Sequence, residues 1–400
     1  MFDPGSVRFR GPLTPYVKGF WAELQRQGYS PLSAGNVLRV VAHFSRWLED
    51  SALSLDHLSH ESMAAFMAAR RRQGYTQFLT THALAPLLEH LEGVDIHVRP
   101  AAVVETPIDR LVRDYAEYLA RERCVGPVTV RHYTDFARGF ARFRFGTREP
   151  TWVQLRPSEI TDYVLDAAGR LTTSHCRNVV TALRSLLRFL HVRGEIGQDL
   201  SGCVPAVAGW RLAHVPRALE PQQVEHLLRD GCRRSQSLRR DAAIVRLLVR
   251  LGLRAGEVAA FELDDIDWRA GEIVIRGKGN HEARLPLPHD VGHAVAAYLR
   301  VRPSADTRKV FLRHHAPHRA LSATGVRAAA TQALRRTGIS AGGSHLLRHT
   351  AATQMLRHGA SLSEIAHVLR HRHIDTTAIY AKVDLASLQR LVQPWPGGAA

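Results

Sequence analysis

Apolar residues recur at helical spacing through most of the chain. Val37, Val40, Phe44 and Trp47 share one helix face, and 96 residues later Tyr133, Phe136, Phe140 and Phe143 repeat the pattern. Leu55, Leu58, Met63, Phe66 and Met67 correspond in the same way to Trp152, Leu155, Ile160, Tyr163 and Val164 at an offset of 97. The string Ala-Leu-x-x-Leu-Leu-x-x-Leu occurs at 83–91 and again at 182–190, an offset of 99. Three matches in one order predict two successive four-helix units of about 90 residues each. Unrelated amphipathic bundles would share such patterns too, so duplication stands as an expectation.

Proline and glycine mark the boundaries. The stretch from Val94 to Pro107 carries Pro100 and Pro107, and Gly194 to Pro216 carries Gly197, Gly202, Pro205 and Gly209; both read as linkers because proline denies helix continuation. Three pieces result: 1–100, 101–212 and 213–400. In the third, Glu220 and Pro221 open a helix through Leu228, proline being tolerated in a first turn. Ile244, Val245, Leu247, Leu248 and Leu251 make a helix face that stops at Gly252. Glu272 to Arg276 is β-rich, 277–281 is turn material and Ala283 to Leu287 alternates, which predicts a hairpin. Helices then resume almost to the end.

Composition narrows the function classes. Hydrophobic residues make up 45% and charged ones 23% of the 400 positions, so the chain is ordinary globular material rather than a disordered basic tail. No apolar run reaches the roughly 18 residues of a bilayer span, since arginines interrupt even Ala242 to Leu253. Residues 1–15 lack the apolar core of a secretory signal, and the expected location is the cytoplasm. Cys124, Cys176, Cys203 and Cys232 have neither zinc-clip nor redox-pair spacing, so all read as reduced thiols. His314, His315 and His318, or His371 and His373, lack the second ligand pair that a metal site needs; neither a metal nor a cofactor is expected. The net charge of +17 points to a polyanionic partner. Only four of the 54 basic residues are lysine, however, and an arginine bias of that kind is partly a matter of genome composition.

The chemistry is concentrated near the end. Ser344 reads as an N-cap, which sets His345, Arg348 and His349 on one face of a first helical turn. Such a face suits an anion, because free N–H groups and the positive dipole end lie there. Ser361-Leu-Ser-Glu364 is a capping-box pattern opening a helix that closes at Leu369-Arg370-His371, where the dipole favours a protonated imidazole. Tyr380 follows nine residues later, with Asp375 placed to cap a short helix; taken alone, this tyrosine reads as packing.

Together these residues resemble the tyrosine recombinases, the phage-integrase family of site-specific DNA recombinases. That family's His-x-x-Arg pair, Leu-Gly-His and following tyrosine are matched by His345, Arg348, His371 and Tyr380. Its first arginine box is similar to Leu251-Gly-Leu-Arg-Ala-Gly-Glu257, which places the arginine at Arg254 and the supporting acid at Glu257. Its hairpin lysine corresponds to Lys278. One departure is Arg370 where the family usually has glycine, which reads either as an added phosphate contact or as a surface charge. The resemblance is close for 213–400, covers 101–212 as a core-binding helical domain and is looser for 1–100, a second copy of that type if the repeat is real. The fold it implies is mainly α: two helical-bundle, SAM-like DNA-binding domains, then a mixed α+β catalytic domain with a small antiparallel sheet.

The implied activity is cutting and rejoining of DNA through a covalent 3′-phosphotyrosine, without metal or ATP, in integration, excision or transposition. Arg254 and Arg348 would clamp the scissile phosphate, His371 would add a hydrogen bond and Tyr380 would attack, with His345 as the base and Lys278 as the acid. Glu257 would orient Arg254 or Lys278, or serve only as a first-turn acid. The implied partners are double-stranded DNA with paired sites and further copies of the chain in a synaptic tetramer, with the tail Val383, Leu385, Leu388, Leu391 and Val392 expected to dock in trans rather than in cis. A DNA-binding architectural protein that kept the fold and lost catalysis is the alternative from another class, and a nicking-resealing topoisomerase is the nearer rival.

Overall fold

Capping side chains and apolar stripes place the helices of the first hundred residues. The computed structural model describes residues 7–97, 105–146, 148–208, 217–230, 235–277, 282–340, 342–370 and 377–383. Helix α1 spans Val17–Arg26, α2 Pro31–Asp50, α3 His60–Arg72 and α4 Ala85–Glu92. Ser30 caps α2 by accepting from Ser33 N–H ahead of Pro31, and Ser59 and Ser62 exchange bonds at the start of α3. The faces so presented bury Phe20, Leu24, Val37, Val40, Phe44, Met63, Phe66 and Leu87 in one core.

The middle piece repeats this order of elements. Helices α5 (Pro107–Arg121), α6 (Pro127–Phe145), α7 (Pro157–Arg170) and α8 (Thr173–Val192) include a 3₁₀ turn at Trp152–Gln154 between α6 and α7, as Leu55–His57 falls between α2 and α3. Their core is built on Tyr115, Phe140, Trp152, Ile160 and Leu186. By contacts the chain divides into two units, 101–213 as one and 1–100 with 214–400 as the other. In the latter, the first bundle meets the loop before the C-terminal helices: His318 N–H donates to Gln27 O at 3.3 Å, and Arg26 pairs with Asp306 and Arg319 with Glu89.

The C-terminal part of that unit is built round α10 (Gln236–Arg250), whose Ala243, Ile244, Val245, Leu247, Leu248 and Val249 are all buried. Its apolar residues pack against α12 (His289–Leu299), α13 (Ala323–Arg336) and α14 (Ser344–Arg357), while Arg250 stays exposed. Gly252, at φ +59°, reverses the chain after it, and the short α11 (Ala255–Ala260) follows. Strands β1 (Ile266–Asp267), β2 (Glu272–Arg276) and β3 (Glu282–Pro286) form an antiparallel sheet in that order, with Ile273 opposite Leu285. Alternation along β2 sends Ile273 and Ile275 into the core. Helix α9 (Pro221–Asp230) precedes this core and α15 (Leu362–Val368) closes the helical part. Among the described residues no helix is long and apolar enough to cross a membrane.

The fold is thus mainly helical with one small antiparallel sheet, as the sequence predicts. The tail from Leu385 onward, Cys232 and Asp375 lie outside the described residues.

Candidate active site

Two chain reversals, at Gly252 and at Arg370, bring the charged side chains together. Arg254 is the N-cap of α11, immediately after the Gly252 turn. Glu257, three residues on and buried, reaches back: its Oε2 accepts from Arg254 N–H at 2.7 Å and its Oε1 from Arg254 Nη1 at 2.8 Å. The carboxylate thereby fills the reciprocal half of a helix cap while fixing a guanidinium. Glu257 thus contacts Arg254 and is at the same time a first-turn acid of α11, so both of those readings of the sequence hold for it.

Arg348, in the second turn of α14, is buried, and its two Nη atoms donate to Gly252 O and Leu369 O. Arg254 Nη2 donates to the next carbonyl, Arg370 O, at 3.2 Å. Two successive carbonyls at the end of α15 therefore hold one guanidinium each. Arg370 can present them because its φ is +54°, a left-handed conformation that costs a non-glycine residue roughly 1–2 kcal/mol. Its side chain turns inward, with Nη2 2.7 Å from Glu257 Oε2 and Nη1 2.9 Å from Val368 O. At 12% exposure it is not the surface charge that one reading of the sequence allows.

Tyr380 lies in a 3₁₀ turn, Ala378–Val383, and packs on Ala352, Ile365 and Leu369 with 1% exposure. Its hydroxyl is 2.9 Å from Nδ1 of His349. The family resemblance points to His345 as the base, with His349 a neighbour on the same face. The signal that separates them is the i+4 position, one turn deeper, which only the packing of α14 against the 3₁₀ turn makes decisive. Ser344 also differs from expectation: the N-cap is Gly343, which makes no side-chain cap bond, and Ser344 is buried as the first helical residue.

The electrostatics follow from burial and crowded positive charge. Burial, with Arg254 beside it, pulls Arg348 down to about 10. His345 and His349 both lie below the ordinary imidazole value, chiefly through burial and then through neighbouring charge, Arg348 included. Burial pushes the Tyr380 phenol up, and Arg348 opposes that in part. For Glu257, burial acts upward, but Arg370 and Arg254 outweigh it and hold the carboxyl below its usual range. The site is crowded with positive charge, and burial favours the neutral form of both imidazoles and of the phenol. Arg254, 41% exposed, offers its remaining N–H groups outward, where a phosphate oxygen would be met by a rigid donor fork.

Of the residues predicted from sequence, Arg254, Glu257, His345, Arg348 and Tyr380 converge here. Lys278 and His371 lie outside the described residues.

Two family models match the chain. The phage integrase family model matches residues 217–386, and the model of the phage integrase N-terminal SAM-like domain matches 17–87, the piece for which the resemblance on sequence is looser. A protein of Sinorhizobium fredii named as an integrase/recombinase, y4rA, is 41% identical over 399 residues, covering 97% of this chain and 96% of its own. The tyrosine recombinase XerC of Lactobacillus delbrueckii is 29% identical over 70% of this chain and 96% of its own. Among solved structures, XerH site-specific recombinase bound to a palindromic difH substrate has a TM-score of 0.59 at 16% identity, covering 74% of this chain and 99% of that one, a likeness of fold.

Proposed function

The chain belongs to the phage integrase family, whose curated members are named as integrases and tyrosine recombinases, and from that premise we propose that it is a site-specific recombinase that cuts and rejoins DNA through Tyr380. The observation that carries this reading is the convergence of Arg254, Arg348, His349 and Tyr380, with both guanidiniums held on backbone carbonyls and the phenol against an imidazole. A protein that only bound DNA would have no use for a buried tyrosine hydrogen-bonded to an imidazole beside a fixed guanidinium.

Arg254 and Arg348 bind the nonbridging oxygens of the scissile phosphate and stabilise the charge that gathers there in the transition state. Tyr380 Oη attacks phosphorus as His349 takes its proton. The bond from phosphorus to the 5′ oxygen breaks, and that oxygen leaves with a proton from Lys278 in the role the family resemblance implies. His371, by the same resemblance, donates to a nonbridging oxygen. The product is a 3′-phosphotyrosine and a free 5′ hydroxyl. The number of phosphoester bonds is unchanged, so attack by the 5′ hydroxyl of another strand reverses the step without ATP, and no metal is required. Two rounds of exchange recombine two duplexes. The structural neighbours include XerH on its DNA substrate and a lambda integrase dimer on a core site, which supports double-stranded DNA with paired sites and an assembly of several copies as the partners here. The chain is proposed to work in the cytoplasm.

Tyr380→Phe tests the nucleophile. Wild-type protein incubated with a nicked duplex should give a covalent adduct that survives denaturation, and the variant should give none. An adduct from the variant would reject Tyr380. Relaxation of any supercoiled plasmid, independent of sequence, would move the assignment to a nicking-resealing enzyme.

A further inference from the structure

The arginine at position 370 sits where the backbone would suit glycine, yet its side chain is among the best-placed in the site. Its guanidinium joins Glu257 Oε2 at 2.7 Å, the same oxygen that accepts Arg254 N–H. The carbonyl of Arg370 receives Arg254 Nη2, and the carbonyl before it receives Arg348. The residue thus closes a ring running Arg254 side chain, Glu257 carboxylate, Arg370 side chain, Arg370 carbonyl and back to Arg254. Among the described residues, the Arg370–Glu257 link ties the 369–370 turn to α11 independently of the Arg254 bond it is meant to fix. Arg370 Nη1 also donates to Val368 O, and Nε is buried with no hydrogen-bond partner among the described residues. At 12% exposure against 41% for Arg254, the Arg370 guanidinium offers far less of itself to solvent, which disfavours a direct phosphate contact.

We propose that Arg370 is a positioning residue of this active site: by pairing with Glu257 it ties the 369–370 turn to α11, so that two successive carbonyls hold Arg254 and Arg348 in the geometry that receives the phosphate. This rests on the recombinase reading above. The groups facing Glu257 are Arg254 on its own element, Arg370 after α15 and Arg348 from α14. All are cationic, so loss of one leaves the carboxylate paired but the turn untied.

Arg370→Gly is the informative variant, because glycine adopts φ +54° freely and the fold should survive. The substrate is a nicked duplex selected from a randomised pool for adduct formation by the wild-type protein. Single-turnover adduct formation at saturating protein should fall roughly 10- to 100-fold, the scale of a misplaced rather than missing reacting group. The Kd for the same duplex should stay within about twofold and the melting temperature should not fall, the two sites of change being separable in this way. Arg370→Lys, which keeps a charge for Glu257, should recover at least half of the lost rate on a logarithmic scale. The double variant Arg370→Gly/Glu257→Gln should be no slower than the slower single variant, because the two act as one unit. An unchanged rate in Arg370→Gly, a fall in rate matched by a fall in melting temperature, or no recovery in Arg370→Lys would each overturn the role of Arg370 while leaving the recombinase reading intact. Absence of any adduct from the wild-type protein across the pool would overturn both.

Discussion

The Nδ1 atom of His349 stands 2.9 Å from the phenolic oxygen of Tyr380, with the two ring centroids 5.7 Å apart. The contact joins the second turn of α14 to the 3₁₀ turn that carries the tyrosine, and in the Nε2–H tautomer it sets an acceptor against the hydroxyl proposed as the nucleophile. Burial raises the phenol's pKa, so in the proposed reaction a neighbouring base is needed to form phenolate near neutral pH, and the proposal assigns that role to His349. His349→Ala should therefore slow adduct formation by roughly 10²- to 10⁴-fold, the usual worth of a positioned base. His345→Ala should cost less, because among the described residues its ring makes no side-chain hydrogen bond. Single-turnover rates of the two variants on one nicked duplex decide the order. A larger loss in His345→Ala would return the base to that residue.

The pH dependence follows from the same pair. His349 acts as a base only when neutral, and burial, His345 and Arg348 together hold its pKa below the ordinary value. A lowered pKa extends the neutral form to lower pH, so the wild-type rate should stay level from pH 8 down through about 6.5 and fall only below that. In His349→Ala the phenol must lose its proton to hydroxide, and the rate should climb about tenfold per pH unit up to an alkaline pKa above about 10. Two parallel profiles would mean that His349 takes no proton.

Gly252 links stability to the site. Its φ is +59°, and a Cβ built there would lie 2.5 Å from Leu369 Cδ2 and 3.4 Å from Ala351 Cβ. Leu369 is also the residue whose carbonyl holds Arg348 and whose side chain covers Tyr380. Gly252→Ala should cost about 1–3 kcal/mol in overpacking, and adduct formation should fall by more than the loss of folded protein explains. Urea unfolding monitored by circular dichroism, alongside the adduct assay on the folded fraction, separates the two effects.

Much of this architecture is legible in the chain because local rules carry it. The β2–β3 hairpin follows from alternation around a glycine turn, and the helix α10 from an apolar run stopped by Gly252. Arg254 and Glu257 are three residues apart, so their contact is a property of one helical turn. What the sequence does not disclose depends on partners distant along the chain. Arg370 reads as a surface or ligand-facing charge until Glu257, more than a hundred residues earlier, is found beside it. His349 is one of three basic residues on a helix face, and only the arrival of Tyr380 singles it out. Ser344 satisfies every local preference for an N-cap, yet tertiary packing buries it one position inside the helix. The pairing of residues 1–100 with 214–400 in one contact unit rests on Gln27, Glu89 and Arg26 meeting the 304–320 loop, and none of these residues bears a local signal.

Arg254 and Arg348 should respond differently to the same substitution. Arg348 is buried with both Nη atoms committed to carbonyls, Gly252 O and Leu369 O. Lysine has a single nitrogen and cannot bridge both, so Arg348→Lys leaves a buried carbonyl without its donor, at a cost of about 1–3 kcal/mol. That variant should lose stability and activity together. Arg254 is 41% exposed and held by Glu257 and a single carbonyl. Arg254→Lys keeps the ion pair with Glu257 but loses the fork that spans Glu257, Arg370 O and an incoming phosphate. Its melting temperature should stay near that of the wild type while adduct formation collapses, with Arg254→Ala falling by roughly 10³- to 10⁵-fold, as for other arginines that stabilise a transferring phosphoryl group. Binding to the duplex should persist in both Arg254 variants, because most phosphate contacts lie elsewhere on a basic protein. Thermal unfolding, a gel-shift titration and the adduct assay on the three variants make the comparison. An Arg348→Lys protein as stable as the wild type would show that its guanidinium is not anchored on the 252 and 369 carbonyls.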